Sequence, residues 1–264
     1  MKNILATTAL FLAATSLSHA AVQGREVTYS ANGTNLKGYV AYDDAVKGKR
    51  PGILVVHEWW GLNDYARKRA RMLAELGYTA LALDMYGDGK QAHHPADAQK
   101  FSSEVANNAT LAKARFDAAL ELIKQESTVD ANNIAAIGYC FGGSVVLNMA
   151  RIGEPLKAAV SFHGGLGTDH PAESGKVLAR VASFTGEDDP MIPATQVAAF
   201  RQEMDKAGVT YKVVTYPGAK HAFTNPEADK YGKDFNLPLA YNAAADKASW
   251  DAGLAFLADA FKVK

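Results

Sequence analysis

One cysteine in 264 residues rules out an internal disulfide, so the chain is no disulfide-stapled scaffold. Charge of neither sign predominates: Lys and Arg number 28 and Asp and Glu 28. That balance supplies neither the basic field that attracts nucleic acid nor the polybasic run that seeks an anionic membrane. The 9 prolines and 22 glycines follow no collagen-like period, and no Ser/Gly linker, internal repeat or low-complexity block interrupts the chain. What is there, 48% hydrophobic and 21% charged residues, is the profile of a folded globular protein, and the absence of a linker favours one large α/β domain over two small ones.

The N-terminus has its own character. Met1-Lys2-Asn3 precedes an apolar run from Ile4 to Leu17, and Ser18-His19-Ala20 then offers a small-x-small cleavage site. This is the pattern of a secretory signal peptide, residues 1–20. A membrane anchor wants roughly 18 strongly apolar residues, and this run is short and diluted by Thr7, Thr8, Thr15 and Ser16. Cleavage after Ala20 would leave residues 21–264 as a single domain, periplasmic or secreted, off the membrane, and expected to be a monomer. Exported proteins commonly pair their cysteines, so the lone Cys140 calls for another explanation.

Beyond Val27 short β-rich runs alternate with longer helical ones. Arg25 to Tyr29 and Leu36 to Tyr42, joined through Asn32-Gly33, predict an antiparallel hairpin. Gly52 to Val56, Thr79 to Leu83, Ile134 to Ile137, Ala158 to Phe162 and Tyr211 to Val214 are near-continuous apolar runs, as in parallel strands buried on both faces. Helices are expected over Asp64–Leu76, a long region from Pro95 to Gln125, Phe141–Ala150 and Ala194–Lys206. A last helix carries Trp250, Leu254, Leu257 and Phe261 as one apolar stripe. The pattern is a doubly wound, mostly parallel α/β fold with helices on both faces, in which ligands bind beyond the carboxyl ends of the strands.

One strand end stands out. Ile134 to Ile137 leads into Gly138-Tyr139-Cys140-Phe141-Gly142-Gly143 and directly into a helical pattern. This is a G-x-nucleophile-x-G elbow with Cys in the place usual for Ser. The flanking glycines allow a sharp turn that lifts the side chain above the sheet. The following helix N-terminus stabilises a thiolate there. A lone Cys is often an inert core residue, but here the strand, glycines and helix all stand where a nucleophile needs them. A thiol needs a base, and on such folds the order is nucleophile, acid, His. Two later turns qualify: Gly186-Glu187-Asp188-Asp189-Pro190 after the strand-like Ala179–Phe184, and Gly218-Ala219-Lys220-His221-Ala222-Phe223 after Tyr211–Thr215. The order Cys140, Asp189, His221 fits, with Asp188 as rival acid. His93-His94-Pro95-Ala96-Asp97 is a weak metal candidate and a better helix entry.

With these motifs and His57-Glu58-Trp59-Trp60-Gly61, the sequence resembles the dienelactone hydrolase family of α/β-hydrolases over essentially the whole expected mature chain. The spacing to Pro193 selects Asp189 over Asp188 by comparison with that family. The resemblance implies that Glu58 contacts the thiol and helps to activate it, and that the backbone N–H groups of Trp59 and Phe141 form the oxyanion hole. A zinc reading of His57-Glu58 as H-E-x-x-H fails because position 61 is Gly. The two arginines with which dienelactone-specific members hold a substrate carboxylate are missing: the corresponding stretches read Asp84-Met85-Tyr86-Gly87-Asp88 and His221-Ala222-Phe223-Thr224-Asn225. That argues against an anionic dienelactone. Trp60, Tyr86, His163 and Phe223 are expected to line the pocket, with Trp59 and Phe141 beside them.

The resulting expectation is a carboxylic ester or lactone hydrolase working through an acyl-thioester, with no metal or organic cofactor, on a small-molecule substrate. The competing readings are a non-catalytic or thiol redox-sensing binding protein on the same fold, and a thioesterase or peptidase using the same three residues.

Overall fold

The computed structural model describes residues 22–262; the expected signal segment 1–20 lies outside the described residues. The hairpin forms as its turn residues require. β1 (Val22–Ala31) and β2 (Thr34–Asp43) pair antiparallel. Asn32 and Gly33 both take positive φ, 48° and 81°, the conformation that continues the strands' twist through a two-residue turn.

The apolar runs become β3 (Arg50–Val56), β4 (Thr79–Leu83), β5 (Val129–Tyr139), β6 (Ala158–Phe162), β7 (Arg180–Gly186) and β8 (Tyr211–Tyr216); β3 to β7 lie inside the sheet, whereas β8, expected to be buried on both faces, is an edge strand in which only Val213 is buried. The eight strands run in the order β1-β2-β4-β3-β5-β6-β7-β8; β2 joins β4 antiparallel, and all later neighbours are parallel. Alternate residues of one strand feed two cores. Leu54 and Val56 pack in one cluster with Phe116, Val146 and Phe200, while Ile53 and Val55 pack in the other with Leu73 and Leu257. The first core is closed by α3 (Ala109–Gln125), α4 (Phe141–Arg151) and α5 (Ala194–Ala207), the second by α1 (Asp64–Glu75) and α7 (Ala243–Ala260). This is the α/β-hydrolase architecture. The chain leaves β3 toward β4 on one side and meets β5 on the other, so the carboxyl ends of β3 and β5 flank a topological switch point, where such sheets bind ligands.

Three helical expectations need correction. The region Pro95–Gln125 is two helices, α2 (Pro95–Ala106) and α3, because Asn108 turns its side chain onto the Leu111 N–H (2.9 Å) and caps a new start. A short helix, α6 (Ala228–Phe235), forms where none was expected. In α7 the buried face is Ala245, Ser249, Gly253, Phe256, Leu257 and Ala260; Trp250, Leu254 and Phe261 flank it half-buried. Small residues take the centre because Phe162 and Phe184 stand against them: a Cβ on Gly253 would lie 3.0 Å from the Phe162 ring. The His93-His94 segment is a helix entry, with His94 Nδ1 accepting the Ala96 N–H (3.2 Å). Among the described residues no helix is long and apolar enough to cross a membrane.

Candidate active site

Cys140 sits between β5 and α4 with φ 52° and ψ −118°, a strained backbone for a residue with a side chain. Its glycine neighbours make the turn possible. A Cβ on Gly138 would lie 2.1 Å from the Gly142 carbonyl oxygen, and one on Gly142 would lie 2.4 Å and 2.6 Å from the carbonyl oxygens of Val56 and His57. The Cys140 N–H is shared between the Phe162 carbonyl (3.0 Å) and His163 Nδ1 (3.1 Å). The side chain stands at the first turn of α4, where free amides and the helix dipole favour an anion.

The two later turns converge on it. His221 Nε2 lies 3.1 Å from Cys140 Sγ, and His221 Nδ1 lies 2.8 Å from Asp189 Oδ2. Asp189, beyond β7, is buried and also accepts the Met191 N–H (2.8 Å), whereas Asp188 is exposed. Burial alone would lower the His221 pKa, but the Cys140 sulfur and the Asp189 carboxylate overcome it and raise the value to about 10. The Asp189 carboxylate on one ring nitrogen and the Cys140 sulfur on the other favour the protonated ring. Its loop is pinned from behind, with Leu239 bridging to His221 and the Ala240 N–H donating to the His221 carbonyl (3.2 Å).

The segment after β3 supplies the opposite wall. Glu58 is 2% exposed; its Oε2 accepts from Asn225 Nδ2 (2.6 Å), its Oε1 has no partner, and neither oxygen is hydrogen-bonded to the sulfur. Burial pushes this carboxyl up to about 7, against the pull of Asn225, His221 and Arg69. The Trp59 carbonyl accepts from Tyr86 OH (2.9 Å), which fixes the segment, and the amide of Phe141 opens α4. Between the walls is a cavity of about 60 Å³, lined by Glu58, Trp59, Trp60, Cys140, His221 and Asn225 together with Met191, Ala222, Tyr231 and Leu239.

Of the expected pocket residues, Trp60 reaches this cavity and Tyr86, His163 and Phe223 do not; all three are buried behind it. Tyr86 packs on His57 and Phe141, with ring centroids 4.7 Å and 5.5 Å away. His163 lies under the elbow. Burial lowers its pKa well below the usual value, so it is neutral; with Nδ1 accepting from Cys140, its Nε2–H donates to Thr224 Oγ1 (2.7 Å). Phe223 fills the core between His163 and Tyr216. Arg69 of α1 was not anticipated. Its guanidinium lies within 5.4 Å of the rings of Tyr65, Tyr139 and Trp250, donates to the Thr224 carbonyl (2.7 Å) and pairs with Asp246 (2.5 Å). It thus braces from below the loops that carry the site.

Comparison with known proteins places the chain in a family. Residues 36–261 match the dienelactone hydrolase family. Protein usf of Aquifex pyrophilus is 28% identical over 211 residues, 78% of this chain and 89% of its own. A Bradyrhizobium protein named "Probable 2-oxo-3-(5-oxofuran-2-ylidene)propanoate lactonase" is 29% identical over 238 residues, 85% of this chain and 91% of its own. Among solved structures, a dienelactone hydrolase-like promiscuous phosphotriesterase from metagenomic libraries superposes with a TM-score of 0.84 at 35% identity, covering 90% of this chain and 98% of that one.

Proposed function

Since the chain belongs to the dienelactone hydrolase family and is a hydrolase of that kind, we propose that it cleaves small, uncharged esters or lactones by covalent catalysis at Cys140. The observation that carries the reading is the run of contacts from Cys140 Sγ to His221 Nε2 (3.1 Å) and from His221 Nδ1 to Asp189 Oδ2 (2.8 Å). It is the nucleophile–base–orienting acid arrangement assembled from three strand ends. The thiolate attacks the carbonyl carbon, and the amides of Trp59 and Phe141 receive the developing oxyanion. The imidazolium then gives its proton to the departing alkoxide as the C–O bond breaks. Once sulfur is acylated, His221 no longer faces the thiolate, and the neutral ring left by that proton transfer becomes the base that takes a proton from water for hydrolysis of the thioester. Glu58 has no hydrogen bond to sulfur and assists through its charge, which favours the imidazolium. No Lys or Arg is found among the residues lining the cavity, which supports uncharged acyl groups. Residues 1–20 complete the proposal as an export signal, with the mature enzyme periplasmic or secreted.

The test is turnover of p-nitrophenyl acetate by the reduced protein, with mass spectrometry of the quenched reaction. The expected result is an acyl adduct on Cys140 and loss of turnover in Cys140→Ala and His221→Ala. Asp189→Asn should lower kcat by roughly a thousandfold to ten-thousandfold, since it upsets the tautomer and charge that His221 needs. Asp188→Asn should stay within about twofold of wild type, as expected of an exposed side chain. A Cys140→Ala variant as active as wild type would overturn the mechanism.

A further inference from the structure

Two residues at neighbouring strand ends hold backbones that only glycine adopts freely. Cys140, after β5, has φ 52°, and His163, after β6, has φ 42°. Such strain persists where the surrounding structure imposes it. The His163 N–H donates to the Phe184 carbonyl of β7 (2.7 Å), and the first turn of α4 presses on the next residue, since a Cβ on Gly164 would lie 2.7 Å from Gly143 Cα. From that fixed point the buried ring reaches across to the elbow. His163 Nδ1 accepts the Cys140 N–H (3.1 Å), and His163 Nε2 lies 2.7 Å from Thr224 Oγ1. Thr224 is itself held, with Tyr65 OH 2.6 Å from its hydroxyl and Arg69 Nε donating to Tyr65 OH (3.2 Å). The first contact fixes the proton on the ring. A backbone N–H only donates, so Nδ1 carries none; the neutral ring holds its proton on Nε2, and Thr224 accepts it. Burial and the His221 ring 5.4 Å away keep His163 uncharged.

We propose that His163 is a positioning residue for the nucleophile: the tautomer selected by Thr224 leaves Nδ1 to hold the Cys140 N–H, and through it the elbow that aims the thiol. The inference rests on the hydrolase reading above and deepens it. The Phe162 carbonyl, to which the same N–H donates at 3.0 Å, only continues the ladder between β5 and β6. His163 Nδ1 is the acceptor that lies outside the ladder, at the point where the chain departs from it. The dihedral angles of Cys140 also orient the peptide plane that ends in the Phe141 N–H. Loosening Cys140 therefore shifts the sulfur and a proposed oxyanion donor together, and transition-state stabilisation is lost at both.

The experiment compares His163→Asn with His163→Gln on p-nitrophenyl acetate. The Asn oxygen branches from Cγ as Nδ1 does and accepts the Cys140 N–H, whereas the Gln amide extends toward Thr224 and leaves that N–H without its side-chain acceptor. His163→Gln should lower kcat/KM by about 10- to 100-fold, and His163→Asn should stay at least about fivefold more active than His163→Gln. Gln is nearer to His in volume, so a ring that merely filled space would give the opposite order. Nitrogen-15 NMR of the histidine-labelled wild type supplies a readout that needs neither activity nor a variant: near neutral pH, Nδ1 of His163 should resonate as an unprotonated nitrogen and Nε2 as a protonated one. A proton on Nδ1, or a His163→Gln variant as active as His163→Asn, would overturn the inference alone. No turnover by wild type, with no adduct on Cys140, would overturn the hydrolase reading and this inference with it.

Discussion

Glu58 is maintained in a setting that opposes its charge. Its carboxyl is raised from 4.5 to about 7, so the folded protein binds this proton more tightly than the unfolded chain does. The sign follows: between those two values stability falls as pH rises, and above about 7 the folded state carries a deficit on the order of 3 kcal/mol from this residue. Glu58→Gln should therefore be more stable than wild type above pH 7, with the difference shrinking as pH falls toward 4.5. Urea denaturation at both ends of that window checks it, and a gain independent of pH would contradict the assignment. The same residue marks how far the sequence could be read. Cys140, Asp189 and His221 were legible because each follows a recognisable strand and sits in a turn with its own local signature. The partner of Glu58 was not. Asn225 stands 167 residues away, at a position notable in the sequence only for lacking an arginine, and no local pattern announces a contact of that range.

At the level of elements, the strands were read well because burial on both faces leaves a continuous apolar run, visible in each of β3, β4 and β6. The helices were harder. Nothing in apolar spacing separates α2 from α3; the break depends on the Asn108 side chain choosing a cap over the helix interior. In α7 the aromatic and leucine stripe misled because the facing phenyl rings demand small residues at the centre. His163 and Phe223 were placed at the pocket because they follow strand ends, yet their side chains turn into the core under the elbow. The elbow itself yields a sharp expectation. In Gly142→Ala the new methyl meets the backbone oxygens of Val56 and His57, and backbone cannot step aside as a side chain can. The end of β3 and the start of α4 must part, displacing Cys140 relative to the segment carrying Trp59. Displacement on the order of 1 Å lowers turnover by about 100-fold. Steady-state kinetics beside a retained far-UV circular dichroism spectrum would separate this from unfolding, and full activity would show that the close approach is dispensable.

Over the whole molecule, the two sides of the second core are tied through Arg69, which joins α1 to Asp246 of α7 and to the Thr224 carbonyl behind His221. Arg69→Met should destabilise the protein by about 3 kcal/mol, because it leaves Asp246 poorly paired in a largely buried place. Arg69→Met combined with Asp246→Leu should recover most of that loss in chemical denaturation, since apolar replacement of both partners removes the stranded charge. Failure to recover would mean that the contacts of Arg69 with Thr224 and the three rings outweigh the ion pair. The pinning of the His221 loop by Leu239 and Ala240 has a consequence in time. A ribosome delivers the sulfur at position 140, the acid at 189, the base at 221 and the segment that secures the base only some twenty residues later. On the proposed mechanism the thiol thus emerges during synthesis long before its activating partner is held in place, and a chain truncated before Leu239 should leave the nucleophile unarmed.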